Sequence, residues 1–126
     1  MISSKPGMFQ RPGSPLSHRL RVVCEKCNNT WMSALQSKVK PILLPLVLGE
    51  WRPLSERDRE TLAAWLTMFV MVVDFGNRDV RAITQEQRAR FLACQKAEPG
   101  WFMWIARLKM ERRNFSLIIV WVAWVK

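Results

Sequence analysis

The stretch Val22-Val23-Cys24-Glu25-Lys26-Cys27-Asn28-Asn29-Thr30-Trp31-Met32 constrains this chain more than any other. Two cysteines spaced C-x-x-C leave a short β-branched run and enter a helix start. That is the geometry of a zinc knuckle, in which two thiolates reach one tetrahedral ion from a tight turn. Such a site needs four ligands, and the chain holds one other cysteine, Cys94, and one histidine, His18. Cys24, Cys27 and His18 are therefore the candidate metal ligands, and zinc is the candidate cofactor with an incomplete ligand set. Three arrangements are open. His18 plus water or another side chain completes the site; the same cysteine pair of a second chain gives one zinc per homodimer; or two reduced thiols pack in the turn without metal. A site with two ligands per chain binds weakly unless dimerisation is strong.

A chain of 126 residues makes one domain with room for a modest core. Lysine and arginine number 20 against 10 acidic residues, a formal net charge of +10. This balance favours polyanionic partners, nucleic acid before an anionic membrane surface, and excludes a partner that is itself basic. The excess is concentrated early: residues 1–53 carry Lys5, Arg11, Arg19, Arg21, Lys26, Lys38, Lys40 and Arg52 against Glu25 and Glu50. Phosphate contacts are expected there. An odd cysteine count with no N-terminal apolar stretch does not read as a disulfide framework, and a reducing cytoplasmic compartment fits better. No run approaches the ~20 apolar residues that cross a bilayer, so no membrane partner is expected.

Residues 1–17 hold Gly7, Gly13, Pro6, Pro12 and Pro15 among serines and basic residues, the composition of a flexible basic arm. Residues 18–126 read as a single α+β domain. Leu20 to Val23 forms a short strand into the knuckle, and Trp31, Leu35 and Val39 follow helical spacing with Asn29 or Thr30 as N-cap. Pro41 and Pro45 are expected to kink or restart that helix before Gly49. Ser55 with Asp58 opens a second helix that Gly76 and Asn77 stop. Its interior, Leu62 to Val73, is apolar nearly all round, as suits the centre of a core or an oligomer interface. Thr84 with Gln87 starts a third helix ending near Ala97, with Cys94 on it as a buried, inert thiol. Trp101 to Leu108 and Phe115 to Val125 read as strands joined by the polar turn Glu111 to Asn114. The second strand is expected to be covered on both faces. The fold expected is a small α+β domain with a zinc-knuckle-like turn, three helices and a C-terminal β-hairpin.

The segment Cys24-Glu25-Lys26-Cys27-Asn28-Asn29-Thr30-Trp31-Met32-Ser33-Ala34-Leu35, followed by Lys40-Pro41-Ile42-Leu43, resembles one branch of the His-Asn-His (HNH) endonuclease-like proteins of phages, prophages and bacteria. The likeness spans residues 19–75. It implies a ββα-metal unit with Cys24 and Cys27 as the knuckle and Asn28 at the last metal-site position. In that family an upstream histidine beside an acidic residue serves as general base, and a divalent metal stabilises the developing charge. Residues 1–17 contain neither that acid–histidine pair nor a second cysteine pair. His18 has no acidic flank, and Arg19 and Arg21 disfavour a divalent cation. The resemblance is thus to the C-terminal part of such a protein, or to a scaffold without the chemistry, and no catalytic residue is assigned.

Two functions follow as expectations. One is a nucleic-acid-binding module derived from an HNH-like nuclease and catalytically incomplete, with Arg11, Arg19, Arg21, Lys26 and Lys38 on phosphates. The other is a small phage-type interaction module or inhibitory factor acting on a nucleoprotein complex, favoured by seven tryptophans and seven methionines. An active nuclease completed by oligomerisation ranks third, since Glu25 is the only acid near Asn28.

Overall fold

The computed structural model describes residues 23–76, 79–109 and 116–124, with side chains described as far as residue 107. The order is α1 (Glu25–Cys27), a π-helical turn (Asn28–Met32), α2 (Ser33–Val47), α3 (Glu56–Gly76), α4 (Gln85–Cys94), β1 (Trp101–Lys109) and β2 (Ser116–Trp124). A small α+β domain with three main helices is what the sequence implies. The arm at 1–17, residues 20–22 of the expected strand Leu20 to Val23 and the turn Glu111 to Asn114 lie outside the described residues, as do Arg11, His18, Arg19 and Arg21; Val23 itself is in a bend.

The first helix begins earlier than expected. Cys24, not Asn29 or Thr30, is its N-cap, extended at ψ 153° with its sulfur accepting from the backbone N–H of Cys27. Thr30 is already inside the helix, its hydroxyl donating to the Lys26 carbonyl at 2.6 Å. α2 is one continuous helix through Pro41 and Pro45, so it does not restart there. The physical reason lies in which face is buried. Leu35, Val39, Ile42 and Leu46 form the inner stripe, while Pro41 and Ser37 face solvent. The Ser37 carbonyl, which loses its donor at Pro41, can therefore be hydrated instead.

α2 stops at Gly49, whose φ of 84° is left-handed. Gly49 N–H donates to the Leu46 carbonyl at 3.1 Å and Glu50 N–H to the Pro45 carbonyl at 2.8 Å, the paired bonds of a Schellman ending. α3 is capped as its sequence implies, Asp58 N–H donating to Ser55 Oγ at 3.1 Å. The α4 capping box is complete: Thr84 Oγ1 accepts from Gln87 N–H at 3.2 Å and Gln87 Oε1 from Thr84 N–H at 2.9 Å. α4 ends at Cys94, short of Ala97, because Gln95 turns left-handed at φ 52°.

α2 lies against α3. One core cluster joins Met32, Leu35, Ala64, Met68, Met71, Ile83 and Phe91. A second joins Val39, Leu62 and Leu66, with Met103 and Ile105 of β1 packed on it. α3 does not fill the core on every side: Leu62, Ala64, Leu66, Thr67, Met68 and Met71 are buried, but Phe69 and Val73 are exposed. β1 and β2 pair antiparallel, Trp101 opposite Trp124 through Lys109 opposite Ser116. Alternation along β1 places Trp101, Met103 and Ile105 towards the core and leaves Phe102 and Trp104 exposed, so β1 is open on one face. The side chains of β2, expected to be covered on both faces, lie outside those described.

Candidate functional site: the cysteine turn and its cavity

The first helical turn carries two sulfurs at its N-terminal end. Cys24 is exposed and Cys27 half-buried, and neither is in a disulfide. Cys27 N–H donates to Cys24 Sγ at 3.2 Å. Hydrogen bonding from Cys27, from its side chain first and then its backbone amide, holds the Cys24 thiol below its ordinary pKa. A thiolate here is stabilised by the same N–H groups that a helix leaves unpaired at its start.

The π-helical turn that follows widens the helix over Asn28–Met32. Trp31 meets Phe91 of α4 edge to face, ring centroids 5.8 Å apart at 67°. Between the cysteine turn, α3 and α4 lies a cavity of about 370 Å³, lined by Cys24, Cys27, Trp31, Met68, Phe75 and Phe91 among others. Trp31 Nε1 is buried without a hydrogen-bond partner among the described residues. Arg88 borders the cavity. Its guanidinium is held by the Asp74 carboxylate at 2.6 Å and the Met71 carbonyl at 2.7 Å, and lies 5.0 Å from the Phe75 ring centroid. Arg81 covers the same ring at 4.4 Å. Cavity residues such as Phe75, Arg88 and Phe91 carry no sequence signal of their own; only the fold brings them to the cysteines.

The metal hypothesis can be tested against these donors. Two sulfurs in a turn of this kind fit half of a zinc knuckle. Among the described residues no group of three or more His, Cys, Asp or Glu side chains converges. Cys94 is not a third ligand and is not the buried thiol expected. It is exposed at the end of α4 and borders a different cavity with Lys38 and Glu60. Its exposure follows from α4 burying only Phe91. The described residues by themselves do not make a four-ligand site.

Of the expected phosphate contacts, Lys26 and Lys38 are described. Both are exposed, and neither forms an ion pair with another described residue. Lys40 and Arg52 share that condition. Among the described residues, ion pairs join Arg88 to Asp74 and Arg90 to Glu98, the latter carboxylate being buried. Compared with protein-family models, curated proteins and solved structures, the chain matches none. No described helix is long and apolar enough to cross a membrane.

Proposed function

We propose that this chain is a nucleic-acid-binding module related to the HNH-like nucleases, with no catalytic role for its residues. The observation that carries the reading is the uncompensated positive charge. The net formal charge is +10, and Lys26 and Lys38 stand exposed and without ion-pair partners among the described residues, on the helical segment that starts at the cysteine pair. Arg11, Arg19 and Arg21 extend the same charge along the sequence. Zinc on Cys24 and Cys27 would add His18 and a fourth ligand, or a second copy of the pair in a homodimer.

Fluorescence anisotropy with a labelled mixed-sequence duplex tests the reading. Affinity is expected to fall by one or more powers of ten between about 50 mM and about 200 mM salt. Replacing Lys26→Gln and Lys38→Gln together is expected to flatten the log–log salt slope by about 0.9 for each phosphate no longer neutralised. Absence of binding to duplex and single strand at low salt would sink the proposal.

A second reading has its own observation. Phe69 and Val73, one helical turn apart on α3, are exposed, and such an apolar surface suits a protein partner within a nucleoprotein complex. Its signature is retained partner binding at a salt concentration that abolishes nucleic-acid binding.

A further inference from the structure

A groove between α3 and the inward face of β1 joins an apolar wall to two unengaged arginines. α3 lines it with Arg59, Leu62, Ala63 and Leu66, the i, i+3, i+4, i+7 stripe of one helical face. A cation therefore heads a row of apolar side chains. Opposite stand Met103 and Ile105 of β1, and the connection between α2 and α3 adds Arg52 and Leu54. The space measures about 420 Å³, within the ~300–1,000 Å³ range of small-molecule sites. Leu62 and Leu66 are buried, whereas Leu54, Ala63, Met103 and Ile105 are only half-buried. These four keep apolar surface in water, and a ligand seated in the groove would remove it.

Charge decides what kind of ligand fits. Arg52 and Arg59 are exposed, and neither side chain has an ion pair or other interaction among the described residues. Among the described residues no acid borders the groove. Arg88 at the other cavity differs, since Asp74 and the Met71 carbonyl already hold its guanidinium. A free guanidinium matches a carboxylate, whose two oxygens meet its forked donors. The lining is mainly aliphatic, which suits an alkyl chain. An alkyl carboxylate unites both features, burying its tail while its charged head stays in water beside the arginines. A nucleic-acid backbone would meet the arginines but leave the apolar walls wet.

We propose that this groove binds a medium-chain carboxylate, its alkyl tail between α3 and β1 and its carboxylate at Arg52 and Arg59. The site is separate from the cysteine turn and uses neither Lys26 nor Lys38, so it stands or falls independently of nucleic-acid binding.

Isothermal titration of the full chain with decanoate, held below its micellar concentration, tests the proposal. Saturable binding of one decanoate per chain is expected. Octanoate should bind more weakly by roughly fourfold for each methylene removed. Decanol, which has the chain without the charge, should also bind more weakly. Arg52→Gln and Arg59→Gln should each weaken decanoate binding by roughly threefold, the scale of an exposed ion pair. On the unaltered chain, a decanoate bearing a terminal diazirine should crosslink to α3 or β1 residues that border the groove. Absence of saturable binding, or many ligands per chain, overturns the proposal. So do decanol binding as tightly as decanoate, affinity unmoved in the double arginine variant, and crosslinks confined to other elements. If that double variant weakens duplex binding and leaves decanoate binding unchanged, the arginines serve phosphates and the groove is not a carboxylate site.

Discussion

Arg88 of α4 donates to the carboxylate of Asp74, in the last turn of α3, at 2.6 Å. The same carboxylate accepts from the backbone N–H groups of Ala82 and Ile83 at 2.8 Å and 3.2 Å. One acidic side chain thus ties the end of α3, the following connection and α4 into a unit, with both charged side chains largely buried at 15% and 12% exposure. Both carboxylate oxygens of Asp74 meet donors, which is the condition under which a buried pair persists.

Asp74→Asn removes the charge that Arg88 faces while leaving the guanidinium in place. Loss of about 3 kcal/mol is expected, the low end for breaking a buried pair, read as a lower urea midpoint at constant slope. Replacing both partners, Asp74→Leu with Arg88→Met, should recover part of that loss because no charge remains stranded. A fully additive double variant would mean the two residues act independently.

The cysteine turn makes a prediction about pH. Alkylation of Cys24 by iodoacetamide, followed by peptide mass spectrometry, should show a midpoint below that of a cysteine in an unstructured peptide. The cause is the hydrogen bonding from Cys27. Cys27→Ala removes the side-chain contribution and should move the midpoint up, part of the way back, because the backbone amide remains. The linked stability has a definite sign. A thiol whose folded pKa is lowered contributes stability fully present above the unfolded pKa and lost as pH falls through the lowered value.

Metal removal is the third prediction. Met32, Leu35, Met68, Met71, Ile83 and Phe91 are the buried members of a core on which Cys27 packs only from its edge, and among the described residues no third donor joins the two sulfurs. The thermal midpoint should therefore change by less than about 2 °C on adding a strong chelator, against the several degrees that one lost kcal/mol produces in a domain of this size. A larger fall would show that His18 and a fourth donor, or a second chain, complete the knuckle.

The starts of α3 and α4 were legible in the sequence, because capping is local chemistry, whereas the start at Cys24 and the end at Cys94 were not. Ser55 with Asp58, Thr84 with Gln87, and the stops at Gly49 and Gly76 all need only neighbours within a turn. Whether Pro41 and Pro45 end a helix is not local in this sense. Their cost depends on whether the orphaned carbonyl meets solvent, which only the tertiary orientation of α2 decides. The exposure of Phe102 and Trp104 was hidden because Trp101 to Ile105 is apolar at every position, so the alternation that marks a half-open strand leaves no trace. The cysteine pair itself was visible at once. Its surroundings were not: Phe75, Arg88 and Phe91 lie 48 or more residues beyond Cys27 and say nothing about cysteines until the chain is folded.

Three of the residues that fill the first core cluster, Met32, Met68 and Met71, are thioethers, and all three also border the cavity beneath the cysteine turn. Thioethers adapt their shape readily, so this part of the interior can accommodate small displacements of Trp31 or Phe91 without opening a void. They are also oxidisable. A sulfoxide oxygen on Met68 or Met71 would place a polar group in a cluster packed from apolar side chains. The softness that lets this core close around a tryptophan and a cysteine pair therefore makes its lifetime in peroxide a measure of how often the interior opens.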